Sequence, residues 1–434
     1  MSGSLFRAVT AAVPTGYEGT GYAIRPGVPA AMPLHAAESL AESLASAGAP
    51  APRVSRMGHY VRPYCGQDLA GKRLLAWRGC GIGDQIVFAG CLGYLARRYP
   101  TAEIGLLCDP RIGGGLWGGA ENLPFDVLAE PLPLAEWAAY DYHWLCEGTC
   151  DGDHEPGQPD IWQGHLASIG HGDAPAEARV PLLPQSAAWT GRAVEWWGRN
   201  VSDGRGTRVA PRTPRSMGAP AGQPRRCGAP GRAGAPGADA STHEEVSANA
   251  GPVVLWQLAA STALRSLSPT STLAALGLLA REAPDVRVIA TGAGPQYREY
   301  ADACGLPNVV ADTSELGLQE VFCLLGLVEG LVCPDSCLGH AGAVYGTPTV
   351  SVWCPFPARA RVLGYGNHRP IEARGACSPC WCHERSALDG APRQGCPLEA
   401  AGAAEGRWCR GLQTIRPEVI VKEIVRWATF RSQP

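Results

Sequence analysis

Residues 79–90, Gly-Cys-Gly-Ile-Gly-Asp-Gln-Ile-Val-Phe-Ala-Gly, leave the chain few ways to fold. The apolar run 74–77, Leu-Leu-Ala-Trp, comes just before and is short enough for a buried parallel strand. A turn with Gly79, Gly81 and Gly83 follows, and a helical pattern opens at Asp84 with Phe88, Cys91 and Leu95 on one face. Asp84 therefore falls at a strand-to-helix junction, in the first helical turn. In an open parallel sheet that end of the strands faces the ligand crevice. The glycines let backbone approach a ligand, and the helix N-terminus favours an anion. Three roles are open to Asp84: helix cap, part of a dinucleotide fingerprint, or general base. The fingerprint needs a third glycine where Asp84 stands, although Asp109 at the end of the next strand mimics its ribose-binding acid.

A chain of 434 residues is too long for one ordinary core, so two domains plus additions are expected. The net charge of -3 gives no global attraction to nucleic acid. Its basic residues are almost all arginine, the lysines being Lys72 and Lys422. No apolar run reaches the ~18 residues of a membrane span, and residues 1–14 lack the pattern of a signal peptide. Seventeen cysteines without an export signal point to a reducing, cytoplasmic setting, where clustered cysteines read as metal ligands rather than disulfides.

Residues 1–68 are rich in Ala, Gly, Ser and Pro and read as an accessory or partly disordered arm, with a short amphipathic helix over 36–47 carrying Leu40 and Leu44. A first α/β domain spans 69–200, with strands at 74–77, 104–108, 126–128 and 143–146. His143, Glu147, Asp151, Asp153 and His154 cluster near a strand end. Their spacing fits no firm metal motif, and a solvated loop is the simpler reading. Residues 201–251 have almost no large apolar side chains and read as a disordered linker. The arginine excess from Arg192 to Arg232 suits a solvated linker better than an anionic surface. A second α/β domain fills 252–434, with strands at 253–256, 286–290, 309–310, 330–333 and 349–353, and a final amphipathic helix over 417–429. Gly292 and Gly294 form a turn at a strand end where an adenosine fits.

In the second domain Pro334-Asp335-Ser336-Cys337-Leu338-Gly339-His340 runs from a strand into a helix that closes at Gly346-Thr347-Pro348. Together with the Gly-Ile-Gly-Asp turn, this stretch resembles the two signature motifs of the glycosyltransferase family 9 heptosyltransferases, over roughly residues 70–180 and 252–430. The resemblance implies a GT-B fold, two Rossmann-like domains facing a cleft. It implies transfer of a heptose or related sugar from an ADP-linked donor, without a catalytic metal. Asp84 would then be the base that takes the acceptor's proton. The helix after Asp335-Ser336 would offer N–H groups and a positive dipole end to the diphosphate, with Ser336 and His340 beside it and Asp335 on the donor sugar.

The sequence departs from that family in two places. Cys337 stands where the motif has glycine, which sets a sulfur beside the phosphate path. The lysine that many of these enzymes carry after the first strand of the second domain is missing. Arg265 is its nearest substitute and keeps the charge with a different geometry.

Cys377 and Cys380 form a knuckle, and Cys396 and Cys409 follow, with Cys382 as a spare. Four thiolates favour tetrahedral iron or zinc. This finger, over 375–410, resembles the iron finger of the bacterial autotransporter heptosyltransferases, which modify proteins. The first three positions match that branch and the fourth comes earlier here. The expected acceptor is accordingly a hydroxyl on a protein or on lipopolysaccharide, with homo-oligomers open. Two other classes compete: a non-catalytic nucleotide-sugar-binding or assembly protein, and a nicotinamide dehydrogenase.

Overall fold

The computed structural model describes residues 6–11, 15–16, 23–24, 28–57, 60–79, 81–146, 160–175, 180–201, 251–292, 295–362, 364–375, 378–380 and 408–430. The expected linker over 201–251 lies almost wholly outside them, as does most of the cysteine finger.

The first domain is built on a four-stranded parallel sheet, in the spatial order Tyr142–Leu145, Arg73–Trp77, Glu103–Cys108, Asp126–Ala129. Leu74, Leu75, Ala76 and Trp77 are all buried, which explains why this strand reads as a continuous apolar run. Its two faces meet different partners. Leu74 and Ala76 pack with Ile86, Phe88 and Leu92 of the helix Ile82–Arg98. Leu75 and Trp77 pack with Phe6, Ala31, Met57 and Trp137.

Most of that second set comes from residues 1–68, where the expected helix with Leu40 and Leu44 is present and a sheet joins it. Strands Phe6–Thr10, Ala30–Pro33 and Arg53–Arg56, joined by Leu132–Pro133, make an antiparallel sheet. The helix Leu34–Ser46 buries Leu40 and Leu44 against it. This layer covers the face of the parallel sheet that a crossover helix would otherwise cover. Phe6 is the pin: its ring lies 4.9 Å from Trp77 at 80° and 4.8 Å from Trp137.

The second domain carries a six-stranded parallel sheet, ordered Val309–Asp312, Arg287–Gly292, Val253–Ala259, Gly330–Pro334, Thr349–Trp353, His368–Glu372. Five strands fall where the sequence puts them. The sixth, His-Arg-Pro-Ile-Glu, does not read as a strand, because an edge strand tolerates both proline and charge. Two helices were also hidden in the composition change of the first domain. Ile161–Ala167 is capped by Asp160, which accepts from the Gln163 N–H at 2.8 Å, and Ala187–Asn200 is capped by Ser186. The second of these packs on Leu318–Leu324, where Arg192 pairs with Glu320, so it ties the first domain to the second. One buried core runs through both domains, from Phe88, Leu92 and Trp162 to Leu338, Ala341 and Tyr365.

Phe6→Ala removes the pin between two tryptophans and leaves a cavity in a fully buried site. It should cost about 3–5 kcal/mol in urea unfolding and change the emission of Trp77 and Trp137. A loss under about 1 kcal/mol would mean that the N-terminal layer is not part of the cooperative core.

Candidate active site

Gly81 is the N-cap of the helix Ile82–Arg98, and no side chain caps it. Asp84, three residues in, turns its carboxylate elsewhere, so the capping role does not hold it. Its Oδ1 accepts from Arg361 Nη1 at 3.0 Å and lies 3.8 Å from Arg78 Nη2. Asp84 belongs to the first domain and Arg361 to the second, 277 positions later in the chain. The Asp84 side chain keeps 21 % of its exposure, while those of Arg361 and Arg78 keep 9 % and 0 %. Burial raises the Asp84 carboxyl, but Arg361 and Arg78, then His340 and Arg265, outweigh it and hold the group below the usual carboxylate value. It is an anion at neutral pH.

Facing it is the helix Cys337–Tyr345, whose N-cap is Ser336. The two helices meet at Gly83. A Cβ there would lie 3.3 Å from His340 Cδ2 and 3.5 Å from Cys337 Cα. Two helix N-termini thus converge across the domain junction, and the site they form is electropositive.

Of the expected donor-site residues, Ser336 and His340 lie on this helix, Asp335 directly precedes it and Arg265 is within electrostatic reach. The Ser336 hydroxyl does not cap its helix but donates to Gln257 Oε1 of strand Val253–Ala259. Asp335 is buried at the end of strand Gly330–Pro334. Arg265 closes a 3-10 turn, Ala263–Arg265, held by bonds to Thr262 Oγ1 at 3.4 Å and to Ser261 Oγ. Its charge acts on both Asp84 and Cys337. Burial pushes the Cys337 thiol up to about 11, against the pull of Arg265 and of the Cys337 and Leu338 N–H groups. The sulfur therefore sits among the groups that would bind an anion, and as a neutral thiol it leaves their charge intact.

His340 is buried, with Nδ1 2.8 Å from the Tyr365 hydroxyl. Burial drives its pKa down to about 3, so it meets any ligand as a neutral imidazole. Gly292 ends the strand Arg287–Gly292, and Gly294 lies outside the described residues. His143, which the sequence placed in a solvated cluster, is a core residue. Its ring stacks on Trp137 at 4.8 Å, and its Nδ1 accepts from the Arg62 N–H at 3.1 Å. The other members of that cluster are outside the described residues.

Sequence reading missed Arg361 and Tyr365. Both follow the strand Thr349–Trp353 in a loop with no motif. It also missed Cys354. This sulfur lies 3.4 Å from Cys409 Sγ, where a Cβ on Gly411 would collide with it. The hydrogen bond with Cys354, helped by the Leu412 and Gly411 N–H groups, draws Cys409 toward the thiolate. Cys380 is close enough for its charge to act on Cys354. Cys377 and Cys396 lie outside the described residues, among which no group of three side chains is arranged to hold a metal.

Three buried histidines are held neutral: burial drives His340 down to about 3 and His143 and His368 to about 4. Unfolding frees them to protonate near their ordinary value of about 6.5. The unfolded chain then binds more protons, so stability should be full above pH 6.5 and fall as pH drops from about 6.5 toward 4. Urea midpoints across this window check it. A flat profile would contradict the neutral-histidine assignment. Asp84, with its lowered pKa, contributes its own loss only below about pH 4.

No protein-family profile matches the sequence, and no curated protein sequence does. Solved structures do. A glycosyl transferase family 9 structure from Veillonella parvula superposes with a TM-score of 0.53 at 11% identity, over 84% of this chain and 99% of its own. The E. coli ADP-heptose LPS heptosyltransferase II gives 0.50 at 13% identity, over 83% and 99%. TibC from enterotoxigenic E. coli, described as an iron-containing dodecameric glycosyltransferase, gives 0.50 at 10% identity, over 99% and 92%. At these identities the likeness establishes the architecture: this chain has the fold of these glycosyltransferases, two α/β domains packed against each other, with the Asp84 site at their junction.

Proposed function

We propose that the chain is a glycosyltransferase that moves a heptose or related sugar from an ADP-linked donor to a hydroxyl. The observation that carries this reading is the meeting, at Gly83, of Asp84 from one domain with the N-terminus of the Cys337–Tyr345 helix from the other. A base and an anion seat at one junction are what transfer from a nucleoside diphosphate needs.

The acceptor oxygen attacks the anomeric carbon and gives its proton to Asp84. The bond from that carbon to the diphosphate oxygen breaks, and the electron pair leaves with the nucleoside diphosphate. Arg265 and the N–H groups at the start of the Cys337–Tyr345 helix take up the charge that develops on the leaving group. His340, neutral, offers a hydrogen bond from beside Asp84, and Asp335 and Ser336 line the donor side. Asp84→Asn is nearly isosteric and should lower transfer from an ADP-sugar by roughly 10²–10⁴-fold. Turnover within about threefold of the native protein would remove Asp84 from the chemistry.

The choice of a protein hydroxyl as acceptor, with lipopolysaccharide as the alternative, rests on the cysteine finger. Cys377, Cys380, Cys396 and Cys409 remain its proposed ligands, and the structure adds Cys354 as a fifth thiol for four places. The chemistry of the donors suits a metal. Cys409 is drawn toward the thiolate, and 3.4 Å between sulfurs is close to the ~3.8 Å kept by two tetrahedral thiolates at ~2.3 Å from zinc. Such a metal orders the finger and takes no part in transfer. Elemental analysis should find one iron or zinc per chain, and Cys380→Ser should lower thermal stability. Metal-free protein with all these thiols titrating freely would end the finger reading.

A second reading, a non-catalytic nucleotide-sugar-binding protein, is favoured by the Cys337 sulfur inside the anion seat. Donor binding without transfer or donor hydrolysis is its signature.

A further inference from the structure

Arg361 gives Asp84 its shortest ion pair, yet a carboxylate gripped this way is a poor base. Arg361 and Arg78 both address Oδ1, at 3.0 and 3.8 Å. Brønsted behaviour penalises a base held that far below its operating pH. The two arginines are not equivalent. Arg78 is fully buried, with Nη1 fixed on the Cys146 carbonyl at 3.0 Å. Arg361 comes from the opposite domain, one residue past the 3-10 turn Ala358–Ala360, with its guanidinium 5.2 Å from the centre of the Phe356 ring. Its charge acts on His340 as well as on Asp84, so it is within electrostatic reach of both the base and the helix that would receive the diphosphate.

We propose, on the donor reading given above, that Arg361 exchanges partners: it pairs with Asp84 before the donor binds and turns to the donor's diphosphate when it arrives. A diphosphate carries more charge than one carboxylate and accepts the guanidinium fork bidentately, so it outcompetes Asp84. Release from Arg361 restores the basicity of Asp84. The base is thus armed by the donor. Arg361 acts as a diphosphate ligand and, through Asp84, as a positioning residue.

The exchange predicts a coupling that a static ion pair does not. Binding of ADP and of inorganic pyrophosphate is measured calorimetrically on the full chain, for the native protein and for Asp84→Asn, Arg361→Gln, Arg361→Lys and the Asn/Gln double variant. Arg361→Gln should weaken both ligands on the order of tenfold, and Arg361→Lys should recover part of that because charge is kept and the fork lost. Asp84→Asn should tighten both, since Arg361 no longer leaves a carboxylate in order to bind. That tightening should shrink at least about threefold when Arg361 is already glutamine, because the competition is then gone. Equal Asp84→Asn effects in both backgrounds would overturn the exchange, because fixed charges add. So would a lysine variant as weak as the glutamine one. Failure of both ligands to bind the native protein would overturn the donor reading and the exchange with it, whereas native binding with additive substitutions overturns the exchange alone.

Discussion

The structure depends on a close contact that elementary electrostatics opposes. Two helices point their N-termini at each other across the domain junction, near enough that a Cβ on Gly83 would press on His340 at 3.3 Å and touch Cys337 at 3.5 Å. Two positive dipole ends repel, and Arg78, Arg265 and Arg361 add to the field. Asp84 is the counter-charge that the protein supplies itself, which explains why it points into the junction rather than capping its own helix. Two carboxylates, Asp84 and the buried Asp335, do not match three guanidiniums and two helix ends. What remains is a field that favours a further anion, which is the ground for the diphosphate seat proposed above.

The part of this site legible in the sequence is the part made by short-range backbone rules. A strand, a glycine turn and a helix put Asp84 beyond the C-terminal end of a central strand, and the Asp335–His340 stretch repeats that logic in the second domain. Arg361 was not legible. It works by long-range placement from a loop, and no local pattern separates such an arginine from the many on the surface of an arginine-rich chain. Tyr365, which fixes the His340 ring, and Cys354, which meets Cys409, share that difficulty. Cys354 alone had a signal, a cysteine at a strand end upstream of a cysteine knuckle.

The sheet in the N-terminal layer was not legible for a different reason. Its strands are short, one is alanine-rich (Ala30–Pro33) and one is exposed throughout (Arg53–Arg56), so they carry little periodicity. The demand that fixes them lies elsewhere. Strand Arg73–Trp77 is apolar on both faces, so something must cover Leu75 and Trp77. The sequence announces that need in the strand and not in the segment that meets it. An apolar run without alternation is therefore a reason to look for a second covering layer, even where the candidate segment is rich in alanine and glycine.

The two departures from the sugar-nucleotide motif make one physical sense together. Cys337 narrows the seat at the helix N-terminus with a sulfur that burial keeps neutral, so it costs space and leaves the charge unchanged. On the donor reading proposed above, Arg265, a planar fork held in place by Thr262 and Ser261, would do the work of a lysine's flexible point charge. Arg361 is a second such fork on the other side. On the proposed reading, a narrowed seat with arginine forks would recognise an anion through directional hydrogen bonds rather than through the field of one ammonium. Directional bonds are lost when a partner moves, and the proposed exchange of one guanidinium from a carboxylate to a phosphate depends on that property.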